Sequence, residues 1–85
     1  MEPNPTIRLS IVIDAIRKHR TALKYTNQFM AGKLSISVKT YRQIENGFTA
    51  LSLERFAHIA QILDIHPFEL LIPQAIEQPV LYKAS

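Results

Sequence analysis

Residues 26–47 have the sequence TNQFMAGKLSISVKTYRQIENG, and this stretch decides the fold. Thr26 or its neighbour Asn27 is placed to cap a helix that runs to the leucine before a tight three-residue connection. Ser37 is placed to cap a second helix, and Gly47 supplies the positive-φ residue on which helices commonly end. The stretch therefore predicts two short helices joined by a turn, the arrangement of a helix-turn-helix.

Apolar periodicity predicts three more helices around this pair. A first helix is expected from about Arg8 to His19 or a few residues further. Ser52 is placed to cap a fourth helix, and Pro67 to begin a fifth that ends before Pro73. The expected inward residues of the first helix are Leu9, Val12, Ile13, Ile16, Arg20 and Leu23, and those of the fourth are Leu53, Phe56, Ala57, Ala60 and Leu63. The sequence predicts a compact all-α domain of five helices, with the helix-turn-helix formed by helices 2 and 3.

Length and composition limit the class of protein. Eighty-five residues form one small domain, and a hydrophobic content of 47% is that of a globular chain. The absence of cysteine excludes disulfides, thiol chemistry and cysteine-based zinc sites. The start of the chain lacks the pattern of a secretory signal, and no apolar stretch approaches the ~18 residues of a membrane span. We expect a soluble protein of the cytoplasm.

Charge is distributed unevenly along the chain. Residues 1–47 hold eight Lys or Arg against three acidic residues, a balance of +5. Residues 48–85 hold two against four, a balance of −2. This asymmetry favours a first half that faces a polyanion.

The predicted third helix has two different faces, because successive helical residues turn by about 100°. Tyr41 and Ile44 fall on an apolar side that can anchor the helix. The residues on roughly the opposite side are Val38, Lys39, Arg42, Gln43 and Asn46. This set is polar and cationic, and it carries groups that can bond base edges in the major groove.

Each of these side chains has a chemistry that suits DNA. Lys39 can donate to guanine, Gln43 can pair with adenine, and Val38 can lie against a thymine methyl. Arg42 can reach a base or a phosphate. We expect these four residues to contact bases in double-stranded DNA. The alternative is that they form an ordinary solvated helix face.

Phosphate contacts are expected at the ends of the two helices. Asn27 begins helix 2, and Asn46 ends helix 3. Ser37 and Thr40 belong to the first turn of helix 3, where phosphates also approach. Such contacts fix the register of a protein on DNA without selecting a sequence.

Arg20 is a charged residue within the inward stripe of helix 1. A lone buried charge is expensive, and Glu45 lies at the edge of the apolar face of helix 3. We predict an Arg20–Glu45 ion pair that joins the two helices. The alternative is that the Arg20 side chain extends to solvent.

The chain resembles the Cro/repressor family of helix-turn-helix proteins, also called the XRE family. The resemblance covers about residues 8–72 and is carried by Ile16, Arg17 and Arg20; Thr26, Asn27, Met30 and Ala31; Ile36, Ser37, Thr40, Tyr41 and residues 44–47; residues 52–54; and Ile59, Ala60, Leu63 and Ile65. It implies a repressor-like domain, usually a homodimer, that regulates transcription at palindromic operators. It places base contacts on Val38, Lys39 and Gln43 and phosphate contacts on Asn27 and Asn46.

The sequence departs from the family pattern at three positions. Asn27 stands where the family often has Gln, which shortens the expected phosphate contact. Ser35 and Asp64 stand where the family commonly has Gly. Gly32, by contrast, falls inside helix 2 and weakens it by up to ~1 kcal/mol.

The sequence also bears on classes of function other than DNA binding. His19, His58 and His66 lie on different helices or their edges without acidic or nucleophilic neighbours, and no phosphate-binding loop is present. The sequence therefore predicts no catalytic site, metal or cofactor. The rival class is an antitoxin or another protein-interaction module on the same fold.

The ends of the chain bear on that rival class. Residues 1–7 are expected to be an N-terminal arm, and residues 73–85 a tail that contacts a second subunit or a protein partner. The run Val80-Leu81-Tyr82 in this tail could add a strand to a partner, or it could be a disordered terminus. Phe29 and Phe48 are expected to be partly exposed, which can mark a contact surface.

Overall fold

The computed structural model describes residues 8–73, and these form a helical fold without strands. The elements in chain order are α1 Leu9–Ala22, α2 Asn27–Leu34, α3 Val38–Glu45, α4 Leu53–Ile62 and a 3₁₀ helix Pro67–Leu71. The expected N-terminal arm and nearly all of the expected tail, residues 74–85, lie outside the described residues.

The expectation of five helices was correct for four of them. Pro67 begins the last element as predicted, but this element is a 3₁₀ helix of five residues. It is closed by an i→i+3 bond from the Glu69 amide to the His66 carbonyl at 2.8 Å. Pro73 follows so closely that the segment has no room to develop successive i→i+4 bonds.

Hydroxyl caps fix where the middle helices begin. Thr26 accepts a bond from the Phe29 amide at 2.9 Å at the start of α2. Ser37 accepts from the Thr40 amide at 3.0 Å, and Ser52 caps α4 with the same geometry. Each cap satisfies a backbone donor that the helix itself leaves without a partner.

Left-handed residues fix where several helices end. Ser35 has φ 59° in the turn between α2 and α3, and Asp64 has φ 58° after α4. Gly47 ends α3 with φ 77°, as the sequence predicted. Lys24, with φ 62°, is the left-handed residue that follows α1. Nothing in the sequence predicted this conformation at Lys24. The chain thus tolerates non-glycine residues at turns where glycine would be free of steric strain.

The core lies where α1, α4 and the 3₁₀ helix meet the helix-turn-helix. Its largest fully buried side chains are Tyr41, Ile16, Met30, Ile44, Ile59, Leu63 and Leu70. Ala31 is 1% exposed, and its small side chain allows α2 and α3 to pack closely. The crossing of the two helices is therefore built into the core.

Four residues that we predicted to face inward are exposed instead. Leu9 and Leu53 occupy the first positions of their helices, and Leu23 is the C-cap of α1, beyond the elements that cover the helix middles. The buried side of α4 is centred on Ile59, Ala60 and Leu63. Ala57 is rotated by more than about 100° from that centre.

The two glycines of the chain have opposite roles, which gives a stability test. A Cβ at Gly32 would meet nothing within 4 Å, and alanine favours a helix interior over glycine by about 1 kcal/mol. We expect Gly32→Ala to raise the free energy of unfolding by about 0.5–1 kcal/mol, measured by urea denaturation. Gly47→Ala is the matched control: at φ +77° the added methyl is strained and should lower stability by about 1 kcal/mol. Shifts in the same direction would contradict this assignment.

Candidate nucleic-acid interface

Helix α3 is anchored on one side and open on the other. Tyr41 and Ile44 are 0% and 1% exposed. Lys39, Arg42 and Asn46 are exposed. The anchoring face thus holds the helix in the core, while these three side chains extend toward solvent.

Val38 and Gln43 are placed differently from the other expected base contacts. Both are half-buried, and Val38 packs against the core cluster. Only part of the valine surface remains available to a ligand. These two residues lie at the boundary between the buried side of α3 and its exposed side.

Ser37 and Thr40 form a local hydrogen-bonded pair at the start of α3. The Ser37 hydroxyl accepts from the Thr40 amide and donates to the Thr40 hydroxyl oxygen at 2.9 Å. The Ser37 hydroxyl proton is therefore engaged by the Thr40 hydroxyl oxygen. The Thr40 hydroxyl proton is the one in this pair that can be donated to a phosphate.

Asn27 occupies the first position of α2 and is half-buried. Its Oδ1 is buried without a hydrogen-bond partner among the described residues. A phosphate accepts hydrogen bonds, so the Nδ2 amide nitrogen, which donates, is the end of this side chain that suits it.

Arg20 and Glu45 come together across α1 and α3. Arg20 Nε donates to Glu45 Oε2 at 2.6 Å, and Nη2 donates to Oε1 at 3.0 Å. The third nitrogen, Nη1, donates to the Tyr25 carbonyl at 2.9 Å. This bidentate arrangement fixes the orientation of the Glu45 side chain, which is 5% exposed.

Two further side chains hold Glu45, and our sequence reasoning missed both. The Tyr41 hydroxyl donates to Glu45 Oε2. Arg17 Nη2 donates to the Glu45 backbone carbonyl, and Arg17 Nε lies 3.6 Å from Glu45 Oε1. The signals were available: Tyr41 precedes Glu45 by four residues, and Arg17 precedes Arg20 by three, so each shares a helix face with its neighbour.

The cluster formed by Arg17, Arg20, Tyr41 and Glu45 perturbs its own ionisation. Burial, and then the hydrogen bond to Glu45, raise the pKa of Tyr41 well above its ordinary value. The hydrogen bond to Glu45 also raises the pKa of Arg20. The neutral phenol and the charged guanidinium are therefore the forms that the fold stabilises.

The exposed aromatics differ in their surroundings. Phe29 is 38% exposed, but Tyr25 stacks near it with ring centroids 4.3 Å apart, and Lys33 lies over its ring. Phe48 is 78% exposed in the segment after α3. Neighbouring side chains thus cover much of Phe29, whereas Phe48 projects into solvent.

Residues 8–73 hold neither a metal-binding cluster nor a membrane-spanning helix. No three His, Asp or Glu residues come together there as a metal site. The longest helix, α1, has 14 residues, and none of these helices combines the length and hydropathy needed to cross a membrane.

A helix-turn-helix family model matches residues 16–70. The match covers more than half of the chain and contains α2, α3 and the Glu45 cluster. The chain belongs to this XRE-type helix-turn-helix family. Comparison with curated proteins and with solved structures finds no match. Family membership indicates a DNA-binding protein that regulates transcription, a class that is generally not enzymatic.

The ion pair between α1 and α3 should couple the two helices energetically. Arg20→Met leaves the buried Glu45 carboxylate without its main partner, so we expect a loss of about 3–5 kcal/mol in unfolding free energy. Arg20→Met with Glu45→Gln should cost less than the sum of the single changes, with a coupling of at least about 1 kcal/mol. Urea denaturation of the full double-mutant cycle measures this, with the exposed Arg42→Met as control. Additive losses would refute the coupling.

The raised pKa of Tyr41 predicts a loss of stability at high pH. Because the folded-state pKa lies above the ordinary value of 10.0, the stabilising effect is fully present below pH 10. Above it, ionisation favours the unfolded chain by about 1.4 kcal/mol per pH unit. We expect the native chain to lose stability between pH 10 and 11.5 more steeply than Tyr41→Phe, as measured by urea denaturation. Parallel pH profiles for the two proteins would contradict this assignment.

Proposed function

We propose that this protein binds a specific site in double-stranded DNA, with α3 in the major groove, and represses transcription from that site. The observation that carries the proposal is the division of α3 into a buried face and an open face that displays Lys39, Arg42 and Asn46. A helix held on one side and polar on the other suits the major groove, which admits a single α-helix.

Sequence selection is assigned to four side chains of α3. Lys39 donates to guanine, Gln43 pairs with adenine, and Val38 contacts a thymine methyl with the part of its surface that the core leaves free. Arg42, exposed on the same helix, contacts a base or an adjacent phosphate. A good base contact discriminates by about 1–3 kcal/mol.

Phosphate contacts are assigned to both ends of the helix-turn-helix. Asn27 approaches a phosphate from the start of α2, and Asn46 from the end of α3. At the start of α3, Ser37 and Thr40 serve together, with Thr40 supplying the hydroxyl proton. These contacts orient α3 in the groove and add affinity for any sequence.

The protein is proposed to bind a palindromic operator as a homodimer. Helix α3 has eight residues, which at 1.5 Å per residue span about 12 Å, or roughly three to four base pairs. Specific sites usually exceed non-specific DNA by about 4–10 kcal/mol, and each base pair supplies about 1–3 kcal/mol. Two copies of α3 contact about twice as many base pairs as one. They therefore supply this free-energy difference with a margin that a single α3 does not have.

Selection from random DNA tests this assignment. At a stated salt concentration, the native chain should enrich a palindrome whose half-sites lie about one helical turn apart. Lys39→Ala and Gln43→Ala should each cost about 1–3 kcal/mol and relax selection at one position of the half-site. Asn27→Ala and Asn46→Ala should weaken binding to all sequences equally, without changing the enriched site.

Matched controls separate these effects from loss of charge or fold. Lys33→Ala removes the same charge from α2 beside the Tyr25–Phe29 pair, and Gln61→Ala removes the same amide from α4. Both controls should retain the enriched site. If the native chain enriches no sequence and its binding depends on salt alone, operator binding is wrong and the protein-partner alternative takes its place.

A further inference from the structure

An apolar groove lies between the start of α1, the start of α4 and the 3₁₀ helix, apart from the α3 surface. Its volume is about 430 Å³, and the apolar residues that line it are Leu9, Val12, Leu51, Leu53, Phe56 and Leu71. Leu53 is 79% exposed and Leu9 is 42% exposed. Nothing in residues 8–73 covers these side chains, so the groove presents apolar surface to water.

The chain leaves the described structure beside this groove. Leu71 lines the groove, and the described residues end two positions later at Pro73. The following segment, residues 74–85, carries the apolar run 80–82. The eight residues from Pro73 to Leu81 reach at most about 26–29 Å when extended. The apolar run can therefore reach the groove without any rearrangement of the helices.

We propose that residues 80–82 of the same chain occupy this groove and cover Leu53. A short tether gives a segment an effective concentration in the millimolar range. A second copy of the chain at micromolar concentration competes poorly against that.

The docked segment would leave the DNA-binding surface free. None of the residues assigned to DNA lines the groove. The proposal is thus independent of operator binding, and its test needs no DNA.

Because the native chain has no cysteine, a disulfide can report the docking directly. The full chain carrying Leu53→Cys and Leu81→Cys is oxidised with oxidised glutathione, and the products are separated on non-reducing gels and weighed by mass spectrometry. We expect an intramolecular disulfide. The matched control pairs Leu81→Cys with Ala57→Cys, which is exposed one turn further along α4 and does not line the groove. The groove pair should close more than about tenfold faster than the control.

Two results would overturn the proposal. Equal closure rates for the two pairs would mean that the segment does not dock in the groove. A covalent dimer as the main product would assign the groove to a second copy of the chain.

A second measurement avoids cysteine altogether. Leu81→Asp in the full chain should shift the amide resonances of Leu51, Phe56 and Leu71, whereas Ser85→Asp should leave them in place. Unchanged groove resonances in the Leu81→Asp protein would also reject the docking.

Discussion

A carboxylate inside a small protein needs charged and hydrogen-bonding partners, and Glu45 obtains them from α1 and from its own helix. Arg20 binds both carboxylate oxygens, the Tyr41 hydroxyl adds a donor, and Arg17 binds the backbone carbonyl of the same residue. Removing Arg20 would leave the buried charge without its main partner. The position of α3 against α1 therefore depends on electrostatics as well as on apolar packing.

This constraint explains how α3 can be both part of the core and open to solvent. Tyr41 contributes its ring to the core and its hydroxyl to Glu45, so one side chain serves packing and polar bonding together. Helix α2 packs against α3 through Ala31, so α3 is held by α2 as well as by α1. The exposed side chains are then displayed from a backbone that is fixed at several points.

Much of the fold could be predicted because its signals are local. The caps at Ser37 and Ser52 and the stop at Gly47 depend on residue type and short spacing, and each lies where the sequence placed it. For helix 2 the sequence left Thr26 and Asn27 open as the cap, and the structure has Thr26. The burial of Leu53 was predicted wrongly, because periodicity does not reveal which elements cover the end of a helix. The same limit applied to the fifth helix, where the neighbouring prolines left room only for a 3₁₀ turn.

The sequence predicted only part of the candidate site. A charge in an apolar stripe pointed to the Arg20–Glu45 contact, since a buried cation calls for an anion. The contributions of Arg17 and Tyr41 were missed because they follow from the crossing of α1 and α3 in space. Base and phosphate contacts remain predictions, since they depend on a DNA partner whose sequence the chain does not encode.

The division of α3 has a consequence for how such proteins can change over time. Lys39 and Arg42 are exposed and contribute little to the core, so either can be replaced with little loss of stability. Val38 and Gln43 are half-buried, and changes there also alter the packing. A lineage that adopts a new operator would be expected to vary the exposed pair first. Under the proposed base contacts, the half-buried pair would change more slowly, because each new side chain there would have to suit both the core and the DNA.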